Sequence, residues 1–235
     1  MSINRRKFLK GAVGIGFGGL GAYFVYNKFK NGYQNQIKGY GNLIKDPDGI
    51  FDLPEKFSYK ILSRVGDIMD DGFPLPGLPD GMATFPGSNG KVILVRNHEL
   101  GFNNGNISAF GENEEYLKLV PKSKIYDFGQ SGKRGFGGTT TIVYDIKKGE
   151  VEKQYLSLCG TLRNCSGGPT PWGSWLTCEE TEEKAGEELK KDHGYVFEVP
   201  ASENIGLIDP TPLIEMGRIY REAAAIDPNS GTVYL

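Results

Sequence analysis

Histidine is scarce in this chain, with His98 and His193 the only two among 235 residues. A three-histidine zinc site is therefore excluded within it. No G-x-S-x-G elbow surrounds a serine, and there is no Walker-type phosphate loop, since Gly11 to Gly21 falls inside an N-terminal apolar segment. Gly132 to Gly138 is glycine-rich but opens no helix, which argues against a nucleotide cradle. There is no G-X-Y period and no long polar tract, so collagen-like and disordered classes are excluded. Positive charge is short as well. Six of the 27 basic residues lie in residues 1–30, which hold no acidic one, leaving 21 basic against 29 acidic residues and a formal charge of −8. Nucleic acid is a poor partner for such a surface; cations suit it better. The cysteines are three, Cys159, Cys165 and Cys178. In an exported protein an odd count leaves at least one thiol free, metal-bound or paired to another chain.

What the N-terminus does contain is an ordered signal. Asn4-Arg5-Arg6-Lys7-Phe8-Leu9-Lys10 sets two adjacent arginines before Phe-Leu and a lysine, and a Gly/Ala-rich apolar stretch runs from Gly11 to Tyr26. That is the layout of a twin-arginine export signal, implying the twin-arginine translocase as a partner and a periplasmic or extracellular destination. The apolar run is shorter than the ~20 residues that span a bilayer comfortably. No clean A-x-A site follows it, so residues 11–26 stay open either to removal or to a membrane-anchoring role.

Residues 31–60 read as a linker leading into a domain at 61–235. Glycine, at 34 residues, is about twice its average usage, and Tyr, Phe, Thr and Val are plentiful. Such a composition predicts short strands joined by tight turns. Strands are expected at 91–95, 137–145, 151–158, 172–177, 194–199, 223–226 and 232–235, with a hairpin turn over 146–150. Residues 68–81 and 101–135 read as loops, and Glu179 to Lys191 is the one helix candidate of note, equally readable as a solvated loop. With no βαβ rhythm the fold class is all-β, and sandwich, barrel and propeller all remain open on pattern. Because the chain stops at Leu235 inside a strand pattern, it is expected to be the first part of a longer protein.

Three constellations could hold chemistry. The densest runs from Gly160 to Thr181: Arg163, Asn164 and Cys165 on a Gly/Pro-rich stretch, then Glu179 and Glu180 at the end of the next strand. Adjacent residues of an extended chain face opposite ways, so one glutamate is expected to share a pocket with Cys165. Thiolate with carboxylate is a mixed donor set suited to iron more than to calcium alone. The plainer alternative is a buried structural cysteine with two surface glutamates. Arg96-Asn97-His98-Glu99 ends a strand, offering oxygen ligands and an anion-binding arginine. Arg221-Glu222-Ala223-Ala224-Ala225 puts a carboxylate before small residues that permit close backbone approach. Either could equally be ordinary strand-end polarity.

At these residues the chain resembles the PhoX-type alkaline phosphatases. The likeness is an ordered set: the twin-arginine segment, Leu75-Pro76 to Asp80-Gly81-Met82, Arg96 to Glu99, Gly137 to Thr141, Gly160 to Gly168, Pro171-Trp172-Gly173 to Thr181, His193 to Val199, and Glu222 to Ala225. It implies a six-bladed β-propeller, about the first half of it present here, with ferric iron (Fe3+) and calcium (Ca2+) at a central opening and small phosphorylated substrates hydrolysed outside the cytoplasm. It places the iron–thiolate ligand on Cys165 and carboxylate ligands on Glu180 and Glu222, with Glu179 and Glu99 as further candidates. Arg163 and Asn164 would then serve catalysis, Arg163 or Arg96 steadying a phosphate oxygen. A calcium-dependent hydrolase of another ester, such as a lactone, and a non-enzymatic exported binding propeller are the competing readings.

Overall fold

The computed structural model describes residues 39–130 and 132–235; the residues read as an export signal, with the apolar run at 11–26, lie outside them. The chain divides into two units, residues 1–60 and 61–235. In the first, β1 (Leu43–Ile44) pairs antiparallel with β2 (Leu53–Pro54). Asp46 ties the intervening turn by accepting hydrogen bonds from the Ile50 amide at 2.8 Å and the Phe51 amide at 3.1 Å.

The second unit is built of antiparallel meanders. β3 (Pro79–Pro86), β4 (Lys91–His98), β5 (Gly137–Asp145) and β6 (Glu150–Thr161) pair in chain order as one sheet. β7 (Asn164–Pro169), β8 (Ser174–Glu179) and β9 (Val196–Pro200) form a second, again in chain order. β10 (Ala225–Ile226) and β11 (Val233–Tyr234) pair as a third. Among the described residues there is no α-helix, only five short 3-10 turns, and none of their helices is long and apolar enough to cross a membrane. The helix candidate at 179–191 is irregular beyond the end of β8.

The strands expected from β-branched runs are present, with β5 spanning the residues predicted for it and joined to β6 across the expected turn. β7 and the first residues of β3 replace what reads as loop. The reason lies in how the sheets meet: the first strand of each meander lies against the first strand of the next, β3 beside β7 and β7 beside β10. A Cβ on Gly81 would sit 2.6 Å from the Ser166 Cα, and one on Gly168 would sit 2.1 Å from the Ala224 carbonyl oxygen. Glycine is there because backbone approaches backbone.

The core follows the same layering. Phe85, Ile93, Val95, Leu158, Trp175, Phe197 and Val199 fill the space between the first and second sheets. Alternation along β8 turns Leu176 and Cys178 the other way, onto Val196 and Ala224. The described residues of 101–135 form no strand, yet Ala109, Phe110, Val120 and Ile125 pack with Leu100, Phe136 and Leu156 into a third cluster. That long segment is an ordered cap, held by apolar burial.

Candidate metal centre

Two strand pairs end side by side. The β3–β4 ladder closes with Pro79 opposite His98, and the β7–β8 ladder with Asn164 opposite Glu179. Both have a register irregularity at that end, between Pro79 and Met82 and between Asn164 and Gly167. A bulge re-aims the side chains of its extra residues. Here those residues include Asp80 and Cys165, while Glu99 and Glu180 follow the last residues of β4 and β8. Ligand atoms of Glu99, Cys165 and Glu180 come within 4.8 Å of one another. Asp80 hydrogen-bonds the Glu99 side chain, and the charge of Glu222, from the segment leading into β10, also bears on Cys165.

Such a gathering is costly without a cation. Burial pushes the Cys165 thiol up to about 12, and the charges of Asp80, Glu180, Glu99 and Glu222 push in the same direction. Cys159 is also raised to about 12, by burial alone. Glu99 is held above the usual carboxylate range by burial and by Asp80 and Glu180, with Arg163 pulling the other way. A multivalent cation would reverse this balance, favouring thiolate and carboxylate together.

Arg163 stands at the rim in a left-handed backbone conformation, φ 47°, which is uncommon for a residue with a side chain. Two bonds fix it: the Arg163 amide donates to the Leu100 carbonyl at 3.0 Å, and its carbonyl accepts from the Glu180 amide at 2.9 Å. The exposed guanidinium has no hydrogen-bond or ion-pair partner among the described residues. Arg96, by contrast, leans on the Ser63 and Thr140 hydroxyls, while its neighbour Asn97 faces Ser166 and Trp175. Arg96 therefore lies on the opposite face of β4 from Glu99.

Two expected site residues lie elsewhere. Glu179 is fully buried and already saturated. Its Oε1 accepts from the Leu162 amide at 2.8 Å and from His193 Nδ1 at 2.6 Å, and its Oε2 from the Gly194 and Tyr195 amides at 2.8 and 3.2 Å. With its lone pairs so occupied it braces the backbone beside Arg163 and has no room for a metal. Asn164 is likewise fully buried, accepting from Thr161 Oγ1 at 2.5 Å and donating to Thr177 Oγ1 at 2.9 Å. Its side chain locks the β7–β8 end and does not reach the cluster. Glu222 is exposed and lies outside the close triad.

Sequence reasoning overlooked Asp80 as a donor, and the buried pair behind Glu179. His193 Nε2 lies 3.4 Å from Asp127 Oδ2, which also accepts from the Lys190 and Lys191 amides at 2.9 Å each. Burial works to lower the His193 pKa, but Asp127 and Glu179 together outweigh it and raise it to about 9. His98 is the opposite case: burial and nearby Arg96 bring it down to about 3, so it is neutral, between the Gly77 carbonyl and the Thr140 hydroxyl at 2.8 Å each. The three cysteines are all unbridged.

A carboxylate-and-thiol cluster at the ends of antiparallel meanders defines an all-β protein with a candidate metal centre. The chain matches the family described as alkaline phosphatase PhoX over residues 38–148 and 138–235, nearly all of its length after the N-terminal segment. It belongs to that family. No curated protein and no solved structure matches it significantly.

Proposed function

We propose that the chain hydrolyses phosphate monoesters outside the cytoplasm, with ferric iron and calcium as its metals. The observation that supports this most is the convergence of Glu99, Cys165 and Glu180 within 4.8 Å, in a chain of a phosphatase family. The donor set fits: one thiol with hard carboxylates suits iron, and the further carboxylates of Asp80 and Glu222 suit calcium. Bound there, such ions supply charge neutralisation of the phosphoryl oxygens and an acidified water nucleophile.

The protein's own part is positioning. Phosphoryl transfer asks chiefly for aligned groups and charge stabilisation. Arg163, whose guanidinium has no partner among the described residues and whose backbone is held by two hydrogen bonds, would donate to phosphate oxygens. Cys165 must give up its Sγ proton, and Glu99 the proton favoured by Asp80, before the cluster can ligate. Glu179 holds Leu162, and so the Arg163 turn, from behind. The side-by-side first strands β3, β7 and β10 support the reading that these sheets are successive blades of a six-bladed propeller. Residues 1–30 support twin-arginine export to the periplasm or beyond, with residues 11–26 as a membrane anchor if they are retained. That route moves folded proteins, so Cys165 could leave the cytoplasm already ligated.

The test is turnover of p-nitrophenyl phosphate by the full-length, metal-loaded protein, with and without a chelator. The proposal expects turnover that the chelator abolishes and that Cys165→Ala and Glu180→Gln each lower at least a hundredfold. Turnover that survives exhaustive chelation, or none in a folded and loaded protein, would rule it out.

A further inference from the structure

Beside the metal cluster, and sharing Arg163 with it, lies a cleft of about 160 Å³ lined by Gly101, Phe102, Asn104, Arg163, Thr181 and Glu183. Nothing in the metal chemistry uses it. Its polar groups are also incompletely paired. Asn104 Oδ1 accepts from the Gly101 amide at 2.9 Å, and its Nδ2 has no hydrogen-bond partner among the described residues. Thr181 is 6% exposed, and its Oγ1 only accepts a long bond, 3.4 Å, from the Glu183 amide. Its hydroxyl proton has no acceptor among the described residues. A hydroxyl this buried is normally matched, so the Thr181 donor marks a prepared surface, with the half-buried Asn104 amide in the same lining.

We propose that this cleft receives the alcohol portion of the phosphoester, and that it selects a small, uncharged polyol of about glycerol size. The inference rests on the phosphatase reading and specifies its substrate class. Arg163 joins the two halves: its charge bears on Glu99, and the residue also lines the cleft. A phosphate held by Arg163 over the cluster therefore directs its ester oxygen toward residues 101–104. The volume equals that of about five water molecules, enough for a three-carbon polyol. Asn104 Nδ2 and the Thr181 hydroxyl donate to alcohol oxygens, and the Glu183 carboxylate accepts from an alcohol O–H. The same carboxylate disfavours a second phosphate. The Phe102 ring, with Lys133 Nζ 5.9 Å from its centroid, offers an apolar wall to C–H groups.

The measurement is the ratio of kcat/KM for glycerol phosphate to that for methyl phosphate, whose alcohol is too small to use the cleft. It is made on metal-loaded full-length protein and on Thr181→Val, Thr181→Ser and Asn104→Asp, the last keeping the Gly101 acceptor while removing the Nδ2 donor. The proposal expects a wild-type ratio well above one. It expects that ratio to fall at least fivefold in Thr181→Val and in Asn104→Asp, and to be kept in Thr181→Ser. A ratio that no substitution moves, with both esters turned over, overturns the subsite and leaves the phosphatase reading standing. Failure of the loaded wild type on both esters overturns the two together.

Discussion

Raising the pH from neutrality should weaken this fold through one buried side chain, His193. Its imidazole has no exposure and lies between Glu179 and Asp127. Those two carboxylates hold its folded pKa at about 9, against an ordinary value of 6.5. A folded pKa above the unfolded one means that the native state binds the extra proton. The stabilisation is complete below about pH 6.5 and is lost as the pH rises through about 9. At about 1.4 kcal/mol per decade, the whole effect is about 3 kcal/mol, a large part of the stability of an ordinary domain. Urea unfolding at pH 6, 8 and 10 measures it, with His193→Gln run alongside. The difference between the two chains cancels contributions common to both, including those of any bound cations. The wild type should lose about 3 kcal/mol relative to His193→Gln between pH 6 and pH 10. Parallel pH dependences in the two chains would refute the reasoning, since they would mean that folding does not raise the His193 pKa.

Further outcomes follow from the same contacts. Gly168→Ala places a methyl group on the Ala224 carbonyl and should cost about 1–3 kcal/mol, read as a lowered Tm. Arg163→Lys should raise KM for phosphate esters and weaken inhibition by inorganic phosphate about tenfold, because a point charge cannot replace a bidentate fork; unchanged phosphate inhibition would remove Arg163 from the anion site. Glu179→Gln and Glu180→Gln should separate cleanly. The first should lower Tm with metal content retained, and the second should lower metal content with Tm of the metal-free protein little changed.

Much of the fold could be read in advance where strands carry their own signal. β4, β5 and β6 are rich in Val, Ile, Thr and Tyr, and the turn after Asp145 is marked by Gly149. β3 and β7 were illegible for a physical reason. Strands whose backbones must touch a neighbour use Gly81, Gly167 and Gly168, and those residues read as loop. The site suffered from the same feature, since Asp80 and Cys165 sit in irregular ladder ends. Alternation correctly implied that Glu179 and Glu180 face apart, but nothing local says which one meets the thiol. That choice is made by His193 and by the amides of Gly194 and Tyr195, more than a dozen residues away, which claim Glu179. Asp127, buried within a segment that reads as a loop, was equally out of reach of any local pattern.

Phosphatase chemistry at this site depends on whether Glu99, Cys165 and Glu180 hold a metal through the thiolate. The most direct measurement is metal content together with the visible absorption spectrum of the purified full-length protein and of Cys165→Ala. A chain that holds iron on Cys165 should be coloured by thiolate-to-iron charge transfer, and Cys165→Ala should lose the band and most of the iron while staying folded. A folded wild-type protein that is colourless and iron-free, or a variant that keeps both the band and the metal, would contradict it.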